Sequence, residues 1–197
     1  MTSFLLWFSL ILLVVSCGGL LLARRRKWRV LWLILLYLPF AWLIAQSWPP
    51  VMALLRLFAG WIVAVLVGSV LFSISGGEEK DLPFGPDTPF FYLQALVLVI
   101  GLGIGATRLF SLFLNTPIPV TVGSIALSGS GILLFSLNPA FFPHLLGILL
   151  FINGFELLYS SLEASAFLLF LFTMLNLLAG LAIAYLLVTS QREGEEL

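Results

Sequence analysis

Apolar segments long enough to cross a bilayer recur along the whole chain, separated by short polar connections. The segments run for about 18–25 residues, which matches the roughly 20 residues that an α-helix needs to span the hydrocarbon core. A soluble domain of this size could not bury so much apolar surface, since 61% of the 197 residues are hydrophobic and 9% are charged. Lipid permits only helices and closed barrels, and barrel strands alternate apolar with polar residues. The continuous apolar runs therefore predict an all-α, polytopic membrane bundle.

We predict seven membrane-spanning helices in a single integral membrane domain. The expected helices cover residues 3–23, 30–47, 51–73, 90–112, 119–137, 143–161 and 164–188. Residues 75–89 form the substantial polar loop of the sequence, and residues 189–197 form a polar tail.

The basic cluster Arg24-Arg25-Arg26-Lys27, followed by Arg29, predicts the orientation of the chain. Clusters of this kind remain in the cytoplasm. No basic residue precedes the first helix, so we expect the N-terminus outside and the C-terminus in the cytoplasm of a cell-membrane protein, with the 75–89 loop also cytoplasmic. The alternative is a lipoprotein signal, since Val14-Val15-Ser16-Cys17 resembles a cleavage box, but apolar sequence continues beyond Cys17 into the basic cluster.

Several function classes are disfavoured by composition. The formal net charge is zero, which gives no basic surface for nucleic acid. Cys17 is the single cysteine and His144 the single histidine, so the chain cannot form an internal disulfide or a cysteine or multi-histidine metal site. No nucleophile–base set is evident, and His144 fits an interfacial position better than a catalytic one. We therefore expect no catalytic residue, no metal, no cofactor and no enzymatic activity.

Small residues predict where helices approach each other closely. Gly60, Ala64 and Gly68 recur at every fourth position of the third helix and form one stripe. Gly101 and Gly105 are expected to pack in the same way in the fourth helix. The local glycine pattern there is not a nucleotide-binding loop, because it lies inside an apolar span.

Ionisable residues at membrane depth are the candidate functional residues, because burying each one in the bilayer is costly. Glu156 lies within the sixth helix, Arg108 in the fourth and Arg56 near the start of the third. Glu156 can serve as a proton relay, or it can form a structural ion pair with Arg108 or Arg56. For Arg56 we favour a side chain that reaches the outer headgroups. Glu163 lies about two turns beyond Glu156, at the end of the same helix.

Two asparagines accompany Glu156. Asn153 lies one turn before it on the same face, and Asn176 lies near the middle of the seventh helix. If the last two helices pack as a hairpin, these amides could meet the carboxylate and extend a proton path. Alternatively, they act as interhelical hydrogen bonds without a transport role.

The last third of the chain resembles a known family. Residues 146–158, LGILLFINGFELL, are similar to the middle helix of the small K-type membrane subunit of respiratory complex I and its relatives in Mrp-type antiporters and membrane-bound hydrogenases. The resemblance covers residues 144–188 and implies that Glu156 is an intramembrane glutamate of a proton path. Residues 173–181 resemble the family's third helix, but Asn176 stands where the family usually has a second glutamate. That difference puts a complete two-glutamate path in doubt.

From these observations we expect a non-enzymatic membrane protein, most simply an accessory subunit of an ion-translocating or proton-translocating complex. Its expected partners are the lipid bilayer and other membrane subunits. A standalone small transporter or channel, and a structural membrane protein without translocation, are the alternatives.

Overall fold

A computed structural model shows a bundle of seven α-helices. It describes residues 2–23, 25–74, 88–114, 116–137, 141–163 and 165–195. The helices are α1 (Thr2–Leu22), α2 (Arg26–Ile44), α3 (Pro50–Ile74), α4 (Thr88–Leu114), α5 (Ile118–Leu137), α6 (Phe141–Ser160) and α7 (Ala166–Glu195). No strand occurs in the described ranges, and all seven helices are long and apolar enough to cross a membrane. The prediction of an all-α membrane bundle with seven spans is confirmed.

Three helices extend further than the apolar pattern indicates. α2 begins at Arg26, inside the basic cluster, and α4 begins at Thr88, inside the expected polar loop. α7 continues to Glu195, so most of the expected tail is helical. Polar residues with good helix propensity continue an existing helix beyond the hydrocarbon core at little cost, which an apolar boundary cannot reveal. Residues 75–87 of the expected loop lie outside the described residues.

Six of the helices form a ring, with α4 outside it. The most extensive pairing is between α5 and α6, and α1 joins α5 to α2. α2 packs on α3, α3 packs on α7, and a smaller α6–α7 contact closes the ring. α4 packs against α5 and, to a lesser extent, α1. Four helices, α2, α3, α6 and α7, therefore surround a common interior on one side of the ring.

Small residues bring α5 and α6 into close contact. A Cβ added at Gly131 would lie 2.5 Å from the carbonyl oxygen of Gly147, which is too close for any side chain. Further along the same pair, a Cβ at Gly154 would lie 2.6 Å from the backbone nitrogen of Ser128. Helices in lipid associate through such close packing, because an apolar side chain gains little free energy by moving from lipid into contact with another helix. These contacts fix the position of α6.

The small-residue stripe of α3 faces α2 at both ends. A Cβ at Gly60 would overlap the Tyr37 ring, and one at Gly68 would lie 2.9 Å from Cγ1 of Val30. Ala64, between them, is fully buried. The structure thus places this stripe between two helices, as the spacing indicates.

The glycines of α4 behave differently. Added Cβ atoms at Gly101 and Gly105 would meet nothing within 4 Å, so the expectation that they pack against another helix of this chain is wrong. Gly103 is the buried one, and its added Cβ would lie 3.5 Å from the side chain of Ile125 in α5. Gly103 is two residues from each of the others and so lies on roughly the opposite face of the helix.

Large apolar side chains cover the outside of the bundle. Phe4, Phe90 and Phe167 are examples, and Phe4 is 75% exposed. Exposure on this scale would be an aggregation hazard in water and is the expected surface in lipid. The bundle therefore spans a membrane, with apolar side chains facing the lipid.

Candidate functional site

A buried ion pair joins α3 to α6. The Arg56 guanidinium donates through Nε to Glu156 Oε1 and through Nη2 to Glu156 Oε2, the latter at 2.6 Å. Both side chains are 0% exposed. This is the two-pronged geometry in which a planar guanidinium matches a carboxylate, and it is the strongest form of charge-assisted hydrogen bond in proteins.

Asn153 extends the pair along α6. Arg56 Nη2 also donates to Asn153 Oδ1 at 2.8 Å. Asn153 and Glu156 are three residues apart in a helix, so their side chains lie on the same face and can contact one guanidinium together. Asn176 of α7 donates through Nδ2 to the same Asn153 oxygen. One amide oxygen thereby connects α3, α6 and α7.

Tyr37 adds α2 to this arrangement. Its hydroxyl accepts from Asn153 Nδ2 at 3.3 Å and donates to Asn176 Oδ1 at 3.2 Å. Tyr37, Asn153 and Asn176 thus form a closed ring of hydrogen bonds beside the ion pair. We call Tyr37, Arg56, Asn153, Glu156 and Asn176 the Arg56 network. Its members come from four helices, and none is exposed.

Aromatic rings enclose the guanidinium. The Arg56 Cζ atom lies 5.7 Å from the centroid of Tyr37 and 5.2 Å from that of Phe40, which is fully buried. Cation–π contacts of this kind stabilise a desolvated cation by about 2 kcal/mol. They matter because Nη1 of Arg56 has no hydrogen-bond partner among the described residues. The rings and the carboxylate therefore replace most of the hydration that the guanidinium loses.

Local sequence explains how the rings reach Arg56. Gly60 lies one turn after Arg56 on the same face of α3, and its missing side chain leaves the space that the Tyr37 ring occupies. On the other side, the close approach at Gly154 holds α6 against α5. The glycines thus position two walls of the network without contributing polar atoms to it.

The network lies inside the membrane-spanning region, toward one side. At 1.5 Å per residue, Arg56 is about 9 Å from the start of α3, Glu156 about 6 Å from the end of α6, and Asn176 about 15 Å from the start of α7. The α2–α3 and α6–α7 connections meet at this side, where Trp48 Nε1 donates to the carbonyl oxygen of Glu163 at 3.3 Å. The network therefore extends from below the interface to about the middle of a hydrocarbon core of about 30 Å.

The structure brings together some of the candidate site residues that the sequence predicted, but not all of them. Glu156, Asn153 and Asn176 meet, as their depth in the helices suggests. The expectation that Arg56 reaches the headgroups is wrong, because Arg56 is fully buried. The alternative, an ion pair between Arg56 and Glu156, is confirmed. The backbone at Arg108 belongs to α4, but its side chain lies outside the described residues.

Tyr37 and Phe40 were not candidates from the sequence. Neither ionises readily, so a search restricted to charged residues and asparagines passes over them. The available signal was Gly60, one turn from Arg56, because a glycine next to a buried cation leaves room for a bulky neighbour. Glu163 is exposed and is not part of the network, which makes it a natural reference for Glu156.

The Arg56 network contains one carboxylate, that of Glu156, and the side chains around it can exchange hydrogen bonds. Asn153 and Asn176 can each donate and accept, and the Tyr37 hydroxyl can do both. Within the described residues no group of three or more His, Cys, Asp and Glu side chains could hold a metal ion. Glu156 is the acidic member of the Arg56 network, and its carboxylate is held by Arg56.

Neither the family models nor the curated proteins nor the solved structures gave a match to this chain. What the protein does must accordingly be inferred from the Arg56 network and from the membrane-spanning bundle that holds it.

Proposed function

We propose that the protein is a non-enzymatic, multi-pass accessory subunit of a proton-translocating membrane complex, and that Glu156 is its proton-carrying group. The observation that carries this proposal is the fully buried Arg56–Glu156 pair, embedded in amides and a hydroxyl at membrane depth. Ionisable groups are rare in such places, and their cost makes a functional role the default expectation.

Proton transfer at this site needs two arrangements of Glu156. In one, the carboxylate accepts from Arg56, as in the structure. In the other, a proton neutralises the carboxyl group, its attraction to Arg56 falls, and Asn153 and the rings keep the guanidinium in place. The network supports such an exchange because the Asn153 oxygen already accepts from Arg56 and can retain it when Glu156 leaves.

The number of acidic residues inside the membrane spans supports the assignment as a subunit. Glu156 is the one acidic residue inside the seven candidate spans. A single carboxylate, about 6 Å from one end of its helix, cannot move a proton through a core of about 30 Å without further groups. Partner subunits would supply them. The resemblance of residues 146–158 to K-type subunits of complex I supports the same assignment, with Asn176 serving as a hydrogen-bond partner rather than as a second acid.

Two apolar grooves on the outside of the bundle offer surfaces against which partner helices could pack. One, of about 260 Å³, is lined by α5 and α6 residues such as Gly131 and Phe151, and the other, of about 430 Å³, is lined by α3 residues such as Phe58 and Ile62. Neither includes a member of the Arg56 network.

The test combines assembly with proton movement. A tagged chain purified from its native membrane in mild detergent should retain large membrane partners. Glu156→Gln keeps the shape of the side chain but removes its titration; it should lower the stability of the chain because Arg56 loses its counter-charge, and the complexes that retain their partners should show no proton-coupled activity in vesicles. Glu163→Gln is the matched control, because the same change at an exposed glutamate should leave that activity intact.

Two outcomes would contradict the proposal. Normal proton movement by a fully assembled Glu156→Gln complex would remove the proton-carrying role. A chain that purifies without partners and moves a solute by itself in liposomes would replace the accessory subunit with a small transporter.

A further inference from the structure

A second buried arginine lies toward the opposite end of α2 from Tyr37 and Phe40. Arg29 is the fourth residue of α2, and its side chain is 0% exposed. Its Nε donates to the carbonyl oxygen of Ala23, just beyond the end of α1, at 2.8 Å. Arg29 therefore closes the α1–α2 connection, and its guanidinium remains inside the bundle.

The two terminal nitrogens of Arg29 have no hydrogen-bond partner among the described residues. Tyr92, at the start of α4, interacts with the guanidinium electrostatically, but a phenol does not neutralise a cation at ordinary pH. The Arg56–Glu156 ion pair lies near the opposite end of α2, so it does not supply a counter-charge for Arg29. A buried, permanently charged group with two unused donors calls for an anion.

The location of Arg29 favours a phosphate as that anion. Arg29 is about 4.5 Å from the start of its helix, at the level of the headgroups. Trp28 beside it is 54% exposed, which is typical of a tryptophan at the membrane interface. Arg25 and Lys27 are exposed on the same turn and increase the local attraction for anions. Two free guanidinium nitrogens match two oxygens of a phosphate group.

We propose that Arg29 binds the phosphate of an anionic phospholipid at the α1–α2–α4 junction. This site is independent of the Arg56 network and of any proton movement. Because the guanidinium is covered, the lipid enters only when a neighbouring side chain moves aside. The bound lipid should therefore exchange slowly and remain with the purified protein, unlike lipids that merely surround the bundle.

The experiment compares Arg29→Met with Lys27→Met in the full-length protein. Both variants remove one positive charge from the same helical turn, but Arg29 is buried and Lys27 is exposed. The protein is stripped of lipid by prolonged washing in a delipidating detergent, returned to mild detergent and then titrated with phosphatidylglycerol, phosphatidylcholine or inorganic phosphate. Native mass spectrometry counts bound lipid, and a melting curve measures the shift in Tm that binding produces.

We expect phosphatidylglycerol to raise the Tm of the natural chain and of Lys27→Met, and Arg29→Met to lose about tenfold or more in lipid affinity. Without lipid, Arg29→Met should melt at the same temperature as Arg29→Lys or higher, since both lack the Nε donor to Ala23 but Arg29→Met no longer buries an uncompensated charge. Arg29→Lys, which keeps the charge but not the fork of donors, should bind lipid with intermediate affinity.

The contrary results are equally specific. Equal losses in Arg29→Met and Lys27→Met would show general attraction to a basic surface rather than a site. Lipid-free Arg29→Met melting well below lipid-free Arg29→Lys, which also lacks the Nε donor to Ala23 but keeps the charge, would show that the protein itself already supplies the counter-charge. A Tm shift of the same size with inorganic phosphate would assign the site to a soluble anion and overturn the lipid assignment.

Discussion

The stability of the bundle should depend on Arg56 and Glu156 jointly rather than on each alone. Removing one partner by Glu156→Gln or Arg56→Met leaves the other charge buried at 0% exposure, which costs about 3–5 kcal/mol. Coulomb's law at about 4 Å gives a similar size, about 4 kcal/mol, for an effective dielectric constant of about 20. The double variant buries no unpaired charge, so its loss should be far smaller than the sum of the two single losses.

The measurement is a double-mutant cycle on the free energy of unfolding in detergent or bicelles. We expect a coupling energy of at least about 2 kcal/mol between the two substitutions. Combining Arg56→Met with Glu163→Gln provides the control, because Glu163 is exposed and outside the network, and these two changes should add. Additivity within about 0.5 kcal/mol for Arg56→Met and Glu156→Gln would refute the reasoning, since it would mean that the two charges do not compensate each other.

Two further predictions concern packing and orientation. Gly60→Leu should overlap the Tyr37 ring and lower the free energy of unfolding by about 1–3 kcal/mol, whereas Val65→Leu, at a position 61% exposed on the same helix, should change it little; equal melting temperatures for the two would contradict the α2–α3 contact. A reporter fused after Leu197 should register the cytoplasm and one inserted between Asn115 and Thr116 should register the outside; the reverse pattern would show that the basic cluster does not set the orientation.

The fold was accessible from the sequence because each helix is specified locally. A run of apolar residues long enough to cross the bilayer must form a helix, whatever its neighbours are. The helix boundaries were harder to predict, since α7 continues to Glu195 through polar residues that an apolar pattern does not mark as helical. The sequence also did not predict which face of a helix packs. In α4 the candidates were Gly101, Gly103 and Gly105, and only Gly103 has a neighbour in α5.

The Arg56 network could be predicted from the sequence only in part. Depth in the helices identified Glu156, Asn153 and Asn176, because polar side chains at that depth need partners. For Arg56 the sequence left two positions open, the headgroups and an ion pair with Glu156, and we favoured the headgroups because Arg56 lies about 9 Å from the start of its helix. The partner that holds it inside is 100 residues away in the chain, and no local pattern connects the two.

The central claim is that Glu156 changes protonation during the work of the complex. Infrared difference spectroscopy between the resting and energised membrane complex measures this directly, since a protonated carboxyl group and a carboxylate absorb at different frequencies. We predict a carboxyl signal in the natural complex that disappears in Glu156→Gln and persists in Glu163→Gln. A difference spectrum left unchanged by Glu156→Gln would contradict the claim and leave the Arg56 network as a structural ion pair.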